Sequence, residues 1–171
     1  MDPTTAKVYL RKMLDYELET VYTIKLQISD KGYPIQRTST TLLNINVKDV
    51  NDNSPKCEDT YLTETIQETK RQDTVIKYMK CSDADAGNNG KLSYEIVQGD
   101  YAKFSIQAGY VLLRREIDAD TEPTVWPLKI QVSDRGDSRN SILVDLIIYV
   151  EGVDDNAPVW VSSSQGGNYS A

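Results

Sequence analysis

The strongest constraint on this chain is an internal match: the stretch Tyr22 to Pro55 and the stretch Val125 to Pro158 agree along their length. Ile24-Lys25-Leu26-Gln27-Ile28-Ser29-Asp30 aligns with Leu128-Lys129-Ile130-Gln131-Val132-Ser133-Asp134. Val50-Asn51-Asp52-Asn53-Ser54-Pro55 aligns with Val153-Asp154-Asp155-Asn156-Ala157-Pro158. The period is about a hundred residues, the size of one small domain, so the chain is expected to contain tandem units. Each unit closes on Asp-Asn-(Ser/Ala)-Pro, which reads as a linker. Too few residues precede Tyr22 to supply a whole unit, so residues 1–48 are expected to be roughly the last three strands of the first. Residues 49–55 form the linker, 56–151 a complete unit, and 152–171 a second linker with the start of the next unit or a tail.

Inside the units, apolar residues recur with period two. The stripes are Val21 (with Tyr22), Ile24, Leu26, Ile28; Leu43, Ile45, Val47; Val75 (with Ile76), Tyr78; Leu92, Tyr94, Ile96; Leu128, Ile130, Val132; and Leu143 (with Val144), Leu146, Ile148, Val150. Period two with one apolar face marks strands lying on a core, and no stretch carries a convincing helical stripe. Turn chemistry separates the stripes at Asp30-Lys31-Gly32-Tyr33-Pro34, Gly87-Asn88-Asn89-Gly90 and Asp134-Arg135-Gly136-Asp137. Eleven Tyr against one Phe, with frequent Val, Ile and Thr, lean the same way. The expected fold is all-β, a sandwich of short strands.

Charge narrows the function. At −7, the chain lacks the basic patch that nucleic acid or an anionic membrane surface requires. There is no His, which removes the commonest general base and the usual zinc and copper ligand. No apolar run reaches the roughly 18 residues of a membrane span, so no direct membrane contact is expected of this segment. Cys57 and Cys81 fit either an extracellular disulfide or two buried thiols, and are too few for a structural zinc site.

Oxygen-bearing residues gather at strand ends: Asp15 and Glu17; Asp30; Asp49, Asn51, Asp52 and Asn53; Glu68; Asp83 and Asp85; Asn88 and Asn89; Asp118 and Asp120; Asp134; Asp154, Asp155 and Asn156. In extended backbone, Asp49, Asn51 and Asn53 point to one side and Asp52 to the other. Single pairs of this kind are explained by the turn preference of Asp and Asn. The whole recurring set suits calcium, which takes six to eight oxygens in irregular geometry.

In this order the motifs resemble the extracellular repeats of cadherins, of protocadherin-like or long non-classical type, over nearly the full chain. Leu14-Asp15-Tyr16-Glu17 resembles the L-D-R-E motif with Tyr in place of Arg. Ser29-Asp30-Lys31-Gly32-Tyr33-Pro34 matches X-D-X-G-X-P, Asp49-Val50-Asn51-Asp52-Asn53 matches D-X-N-D-N, Gln67-Glu68-Thr69 fits X-E-X, and Asp83-Ala84-Asp85 with Asn89-Gly90 fits D-X-D. The resemblance implies Greek-key seven-strand sandwiches in tandem and about three calcium ions at the Asp49–Asn53 linker. Asp15, Glu17, Asp49 and Asp52 would serve two ions. Asn51, Asp83, Asp85 and Asp134 would hold the third, with carbonyls of Val50, Asn53 and Asn89 completing the shells. By the family's topology Cys57 and Cys81 both lie at the calcium end on adjacent strands, which favours the disulfide over the buried thiols.

The second linker departs from the pattern. Gly152 stands where the leading Asp belongs, Asp154 where Asn is usual, and Asp118-Ala119-Asp120 replaces D-R-E. A weaker metal site is therefore expected around Glu68, Asp118, Asp120, Val153, Asp154, Asp155 and Asn156. The implied function is calcium-dependent cell–cell adhesion, or a tension-bearing filament segment, in the extracellular part of a single-pass plasma-membrane protein. Its partners would be other cadherin ectodomains, homophilic or heterophilic, and no catalysis is implied. Rival readings are a calcium-independent immunoglobulin- or fibronectin-type module, a carboxylate-pair hydrolase, and an integrin ligand through Arg135-Gly136-Asp137. Asn168-Tyr169-Ser170 is a glycosylation sequon. Trp126 sits in a strand pattern and reads as packing, and Trp160 is expected to open the next unit's first strand.

Overall fold

A computed structural model describes residues 7–157, and they contain strands and turns but no helix. From the first unit come β1 (Val21–Ser29) and β2 (Thr38–Asn46), an antiparallel hairpin whose register pairs Ile24 with Leu43 and Tyr22 with Ile45. The second unit comprises β3 (Lys56–Cys57), β4 (Tyr61–Gln67), β5 (Val75–Tyr78), β6 (Cys81–Ser82), β7 (Ser93–Gln98), β8 (Phe104–Gln107), β9 (Tyr110–Leu113), β10 (Val125–Ser133) and β11 (Ser141–Glu151). One sheet runs β4-β11-β10-β7 and faces a second, β5-β9-β8, with β3 paired to β6 beside it. The first strand of the sandwich is thus divided: β3 lies antiparallel to β6, whereas β4 crosses over to lie parallel to β11. Counting β3 with β4 and β5 with β6 as single interrupted strands gives the seven-strand Greek key.

The core lies between these sheets. Val111 and Leu113 from one side meet Ile130, Val132, Val144, Leu146 and Ile148 from the other, all at most 1% exposed. Phe104 closes one end and meets Trp126 edge-on, ring centroids 5.7 Å apart, so Trp126 does serve packing. Burying each of these aliphatic side chains contributes about 1.5–3 kcal/mol, which makes this cluster the main stabiliser of the unit.

The structure shifts the phase of three stripes. Tyr22 rather than Val21 continues the face of Ile24, Leu26 and Ile28, because Val21 pairs with Asn46 on the opposite face. Val144 is buried and Leu143 exposed, and Ile76 is buried while Val75 and Tyr78 are not. Where two apolar residues adjoin, alternation alone is ambiguous, and the register with the partner strand decides which turns inward. Among the described residues the first unit contributes two strands where three were expected. Residues 8–14 are instead irregular, and Val8, Leu10 and Leu14 line one open recess with Tyr22, Ile24, Leu43 and Ile45. A strand requires a neighbour to pair with, and the described residues offer this segment none.

Cys57 and Cys81 face each other across the two-residue β3–β6 ladder and are joined by a disulfide, Cα atoms 3.9 Å apart. The 24-residue separation corresponds to roughly 3 kcal/mol in the chain-entropy account.

Candidate metal centre

The first linker leaves β2 and runs extended to Pro55, and its burial alternates. Asp49, Asn51 and Asn53 are half-buried against the second unit, whereas Val50, Asp52 and Ser54 are exposed. That is the two-sided presentation the sequence suggests. On the inner side, Asp49 Oδ2 accepts from the backbone N–H of Ala86 at 3.2 Å and from Asn89 Nδ2 at 2.9 Å. Asn51 Nδ2 donates to the Ser138 carbonyl at 2.6 Å. Asn53 donates to both carboxylate oxygens of Asp85, through its backbone N–H at 3.2 Å and its amide at 2.7 Å.

The loops that receive the linker are shaped by side-chain hydrogen bonds and by two close approaches. Asp83 Oδ1 accepts the N–H of Asp85 at 3.0 Å, turning the chain so that both carboxylates reach the junction. A Cβ on Gly90 would stand 1.9 Å from the Asp85 carbonyl oxygen, and one on Gly136 would stand 2.3 Å from Asn51 Nδ2. At position 90 the obstacle is backbone and only glycine fits, whereas a side chain at 136 would have to displace Asn51 and Asn89. Asp134, fully buried, accepts the N–H of Gly136 at 3.0 Å and of Asn140 at 2.8 Å. Burial by itself would raise the Asp134 pKa. The hydrogen bonds from Asn140, Asn51 and Gly136, with nearby Arg139, outweigh it and hold the carboxyl below its usual range.

On the outer side, Glu17 from the first unit, Asp52 from the linker and Asp85 from the second unit bring carboxylate oxygens within 4.8 Å of one another. A hydrogen bond from its own backbone N–H lowers the Glu17 pKa, but partial burial and the charges of Asp52, Asp85 and Asp15 overcome this and raise it. Asp15 stands outside this triad, its Oδ1 accepting the N–H of Leu18 at 3.1 Å. Two further oxygens, Asp49 Oδ1 and Asp83 Oδ2, are buried without a hydrogen-bond partner. Buried, unpaired carboxylate oxygens are costly unless a cation meets them. With oxygen donors alone, clustered acids and irregular placement, these residues fit a hard divalent cation such as calcium.

The second junction is built differently. Glu68 accepts the N–H of Ala119 at 2.7 Å through Oε2 and the N–H of Val153 through Oε1. Its carboxylate lies within 4.8 Å of Asp118 and Asp120. Asn156 donates to Asp120, and Asp155 lines the same recess as Glu68 and Asp118. Asp154 is exposed and joins none of these groups. The hydroxyl of Thr121 and then the N–H of Asp120 lower the Asp118 pKa. The local turn is shared by both linkers: Asp52 N–H bonds the Val50 carbonyl at 2.9 Å, and Asp155 N–H bonds that of Val153 at 3.0 Å.

Sequence reading missed Asn140, whose Nδ2 donates to Asn51 Oδ1 at 3.1 Å and to the Asn53 carbonyl at 2.8 Å. It lies at the end of the turn whose sequence signature is carried by Asp134 and Gly136. The β10–β11 loop is also one residue shorter than the β1–β2 loop, which hides its equivalent. Gly136 is buried against Asn51, so the Arg135-Gly136-Asp137 triplet has its centre inside the junction. Asn168 and Trp160 lie outside the described residues.

The fold and site define a class: β-sandwich units in series, joined by acidic linkers received by loops of the next unit. The family model that matches is the cadherin domain, over residues 62–151. This chain belongs to the cadherin family. It is 33% identical over 96% of its length to the Fat-like cadherin-related tumor suppressor homolog of Drosophila melanogaster, of which it covers 4%. It is 31% identical over 92% of its length to human Protocadherin Fat 4, covering 3% of that protein. Among solved structures, the protocadherin gammaB7 EC3-6 cis-dimer superposes with a TM-score of 0.77 at 28% identity, over 91% of this chain and 38% of that one. The mouse Cadherin-23 EC22-24 structure gives 0.72 at 26% identity, over 84% and 46%.

Proposed function

We propose that this chain is a segment of an extracellular adhesion filament in which calcium stiffens the joint between two cadherin repeats. The reading divides the chain at residues 49–55 and 152–156, the first repeat ending at 48 and the second running from 56 to 151. The observation that carries it is the meeting of Glu17, Asp52 and Asp85 from three parts of the chain, beside the unpaired buried oxygens of Asp49 and Asp83. Asp15, Glu17, Asp49, Asn51, Asp52, Asp83, Asp85 and Asp134 would hold about three ions. Bound calcium supplies charge neutralisation and a common set of bonds to both repeats. Without it, carboxylates crowded at this range repel one another and push the repeats apart.

The likeness to Fat and protocadherin relatives supports a plasma-membrane parent whose ectodomain meets other cadherin ectodomains. The cis-dimer described for protocadherin gammaB7 makes same-chain association a reasonable partner class. A catalytic role has nothing to recommend it: the carboxylates sit at linkers and the chain has no His. The integrin reading is disfavoured by the buried Gly136. The test is Asp85→Ala with calcium counted by titration calorimetry. We expect about tenfold weaker binding with the sandwich still folded; unchanged binding, or unfolding at saturating calcium, contradicts the assignment.

A further inference from the structure

Lys103 is the one lysine with a buried side chain among the described residues, 6% exposed as a whole, and the junction chemistry above makes no use of it. It precedes β8, and its Nζ points to the loop that carries Asp118 and Asp120. There it donates to the Glu116 carbonyl at 2.8 Å and to Glu122 Oε2 at 2.5 Å. The same Glu122 oxygen accepts the N–H of Asp118 at 3.2 Å, and the N–H of Glu122 bonds the Asp118 carbonyl at 2.8 Å. One buried ammonium therefore closes residues 116–122 into a loop anchored at both ends. Burying an ammonium is expensive and is repaid only by well-placed partners, which Lys103 has.

We propose that Lys103 is the positioning residue of the second junction, holding Asp118 and Asp120 in place for a cation through Glu122. At the first junction the equivalent loop, Asp15 to Glu17, places Glu17 with Asp52 from the linker and Asp85 from the next repeat. The second junction lacks the leading linker carboxylate because position 152 is glycine. Preorganisation by Lys103 compensates for part of that loss, since groups that orient metal ligands commonly control affinity by about ten- to a hundredfold.

This inference rests on the calcium reading, and the experiment separates the two. The whole chain, wild type and Lys103→Met, is titrated with calcium while amide resonances of Asp83–Asn89 and Asp118–Glu122 are followed separately. Lys103→Met is expected to weaken the response at Asp118–Glu122 about tenfold and leave that at Asp83–Asn89 unchanged. In calcium-free protein it should speed amide exchange at Asp118 and Glu122. Wild-type protein with no response at Asp118–Glu122 overturns both readings at this junction. A wild-type response that Lys103→Met leaves unchanged or strengthens overturns the positioning role alone, strengthening being the result if Lys103 merely repels the ion. If Lys103→Met fails to fold, Glu122→Ala, with its side chain partly in solvent, is expected to show the same selective loss, and its absence overturns the proposal.

Discussion

The hairpins β1–β2 and β10–β11 are two copies of one sequence pattern in two different surroundings. Both form antiparallel ladders of matching length, Val21–Ser29 against Thr38–Asn46 and Val125–Ser133 against Ser141–Tyr149. In the second copy Leu128, Ile130 and Val132 are at most 3% exposed, whereas the aligned Ile24 and Ile28 of the first are 37% and 65% exposed. Pairing is thus written into local alternation and the connecting turn, while burial depends on the sheet opposite. Strand β9 with β5 and β8 supplies that sheet to the second copy; the first shares only an open recess with residues 8–14. An apolar hairpin face left this open favours association with whatever completes it.

The difference predicts unequal costs for the same change. Ile130→Ala should destabilise the sandwich by about 3–4 kcal/mol through transfer and cavity terms. The aligned Leu26→Ala should cost under about 1 kcal/mol, because less surface is lost from a half-open site. Urea unfolding followed separately through amide resonances of β10–β11 and of β1–β2 measures the two, and equal costs would mean that the first hairpin has a covering sheet after all.

The junctions differ in the same copywise manner at the aligned positions Asp49 and Gly152. A Cβ at Gly152 would meet Ala119 Cβ at 3.5 Å and Glu68 Oε1 at 3.7 Å, ordinary contacts, so a side chain fits there. Gly152→Asp should therefore tighten calcium at the second junction by roughly tenfold, since affinity follows carboxylate count. The comparison is a calcium titration of the whole chain read at each junction, with wild type weaker at this junction than at the first. Equal wild-type affinities would remove the asymmetry.

The smallest effect is local. Asp30 accepts the N–H of Arg37 at 2.9 Å and of Gly32 at 3.0 Å, and these bonds, Arg37 first, lower its pKa from 3.8. A lowered folded value means the ionised form is favoured by the fold. The stabilisation is present above pH 3.8 and is lost as pH falls through the lower folded value. Amide exchange at Gly32 and Arg37 should accelerate in that acid range while the β1–β2 ladder stays protected. Loss of loop and ladder together would show that the hairpin has no independent standing.

Much of this architecture was legible in the sequence because its determinants are local. The repeat, the turns and the Asp49–Asn53 linker carry their own spacing, and the extended linker's alternation predicts which residues face the second repeat. The disulfide followed from the resemblance once Cys57 and Cys81 were placed on neighbouring strands. What escaped was non-local. Strand β4 carries Glu64 on the face of Leu62 and Ile66, which breaks its apolar stripe, and the charge is met only in three dimensions by Lys77 at 2.7 Å. Strands β8 and β9 are four residues each, too short for a period to declare itself. Asn140 and Lys103 are ordinary polar residues in sequence, and their roles exist only through partners on other loops.

The central claim is that the first junction is a joint that calcium stiffens without being needed to fold the sandwich. Nuclear relaxation of the whole chain with and without calcium tests it most directly, comparing the rotational correlation times of β1–β2 amides and β10–β11 amides. With calcium the two sets should tumble as one body, with shifts concentrated at Asn51, Asp85 and Asn89. On chelation they should separate while the β10–β11 spectrum stays folded. Identical tumbling in both conditions, with no calcium-dependent shift at Asn51, Asp85 or Asn89, would contradict the account.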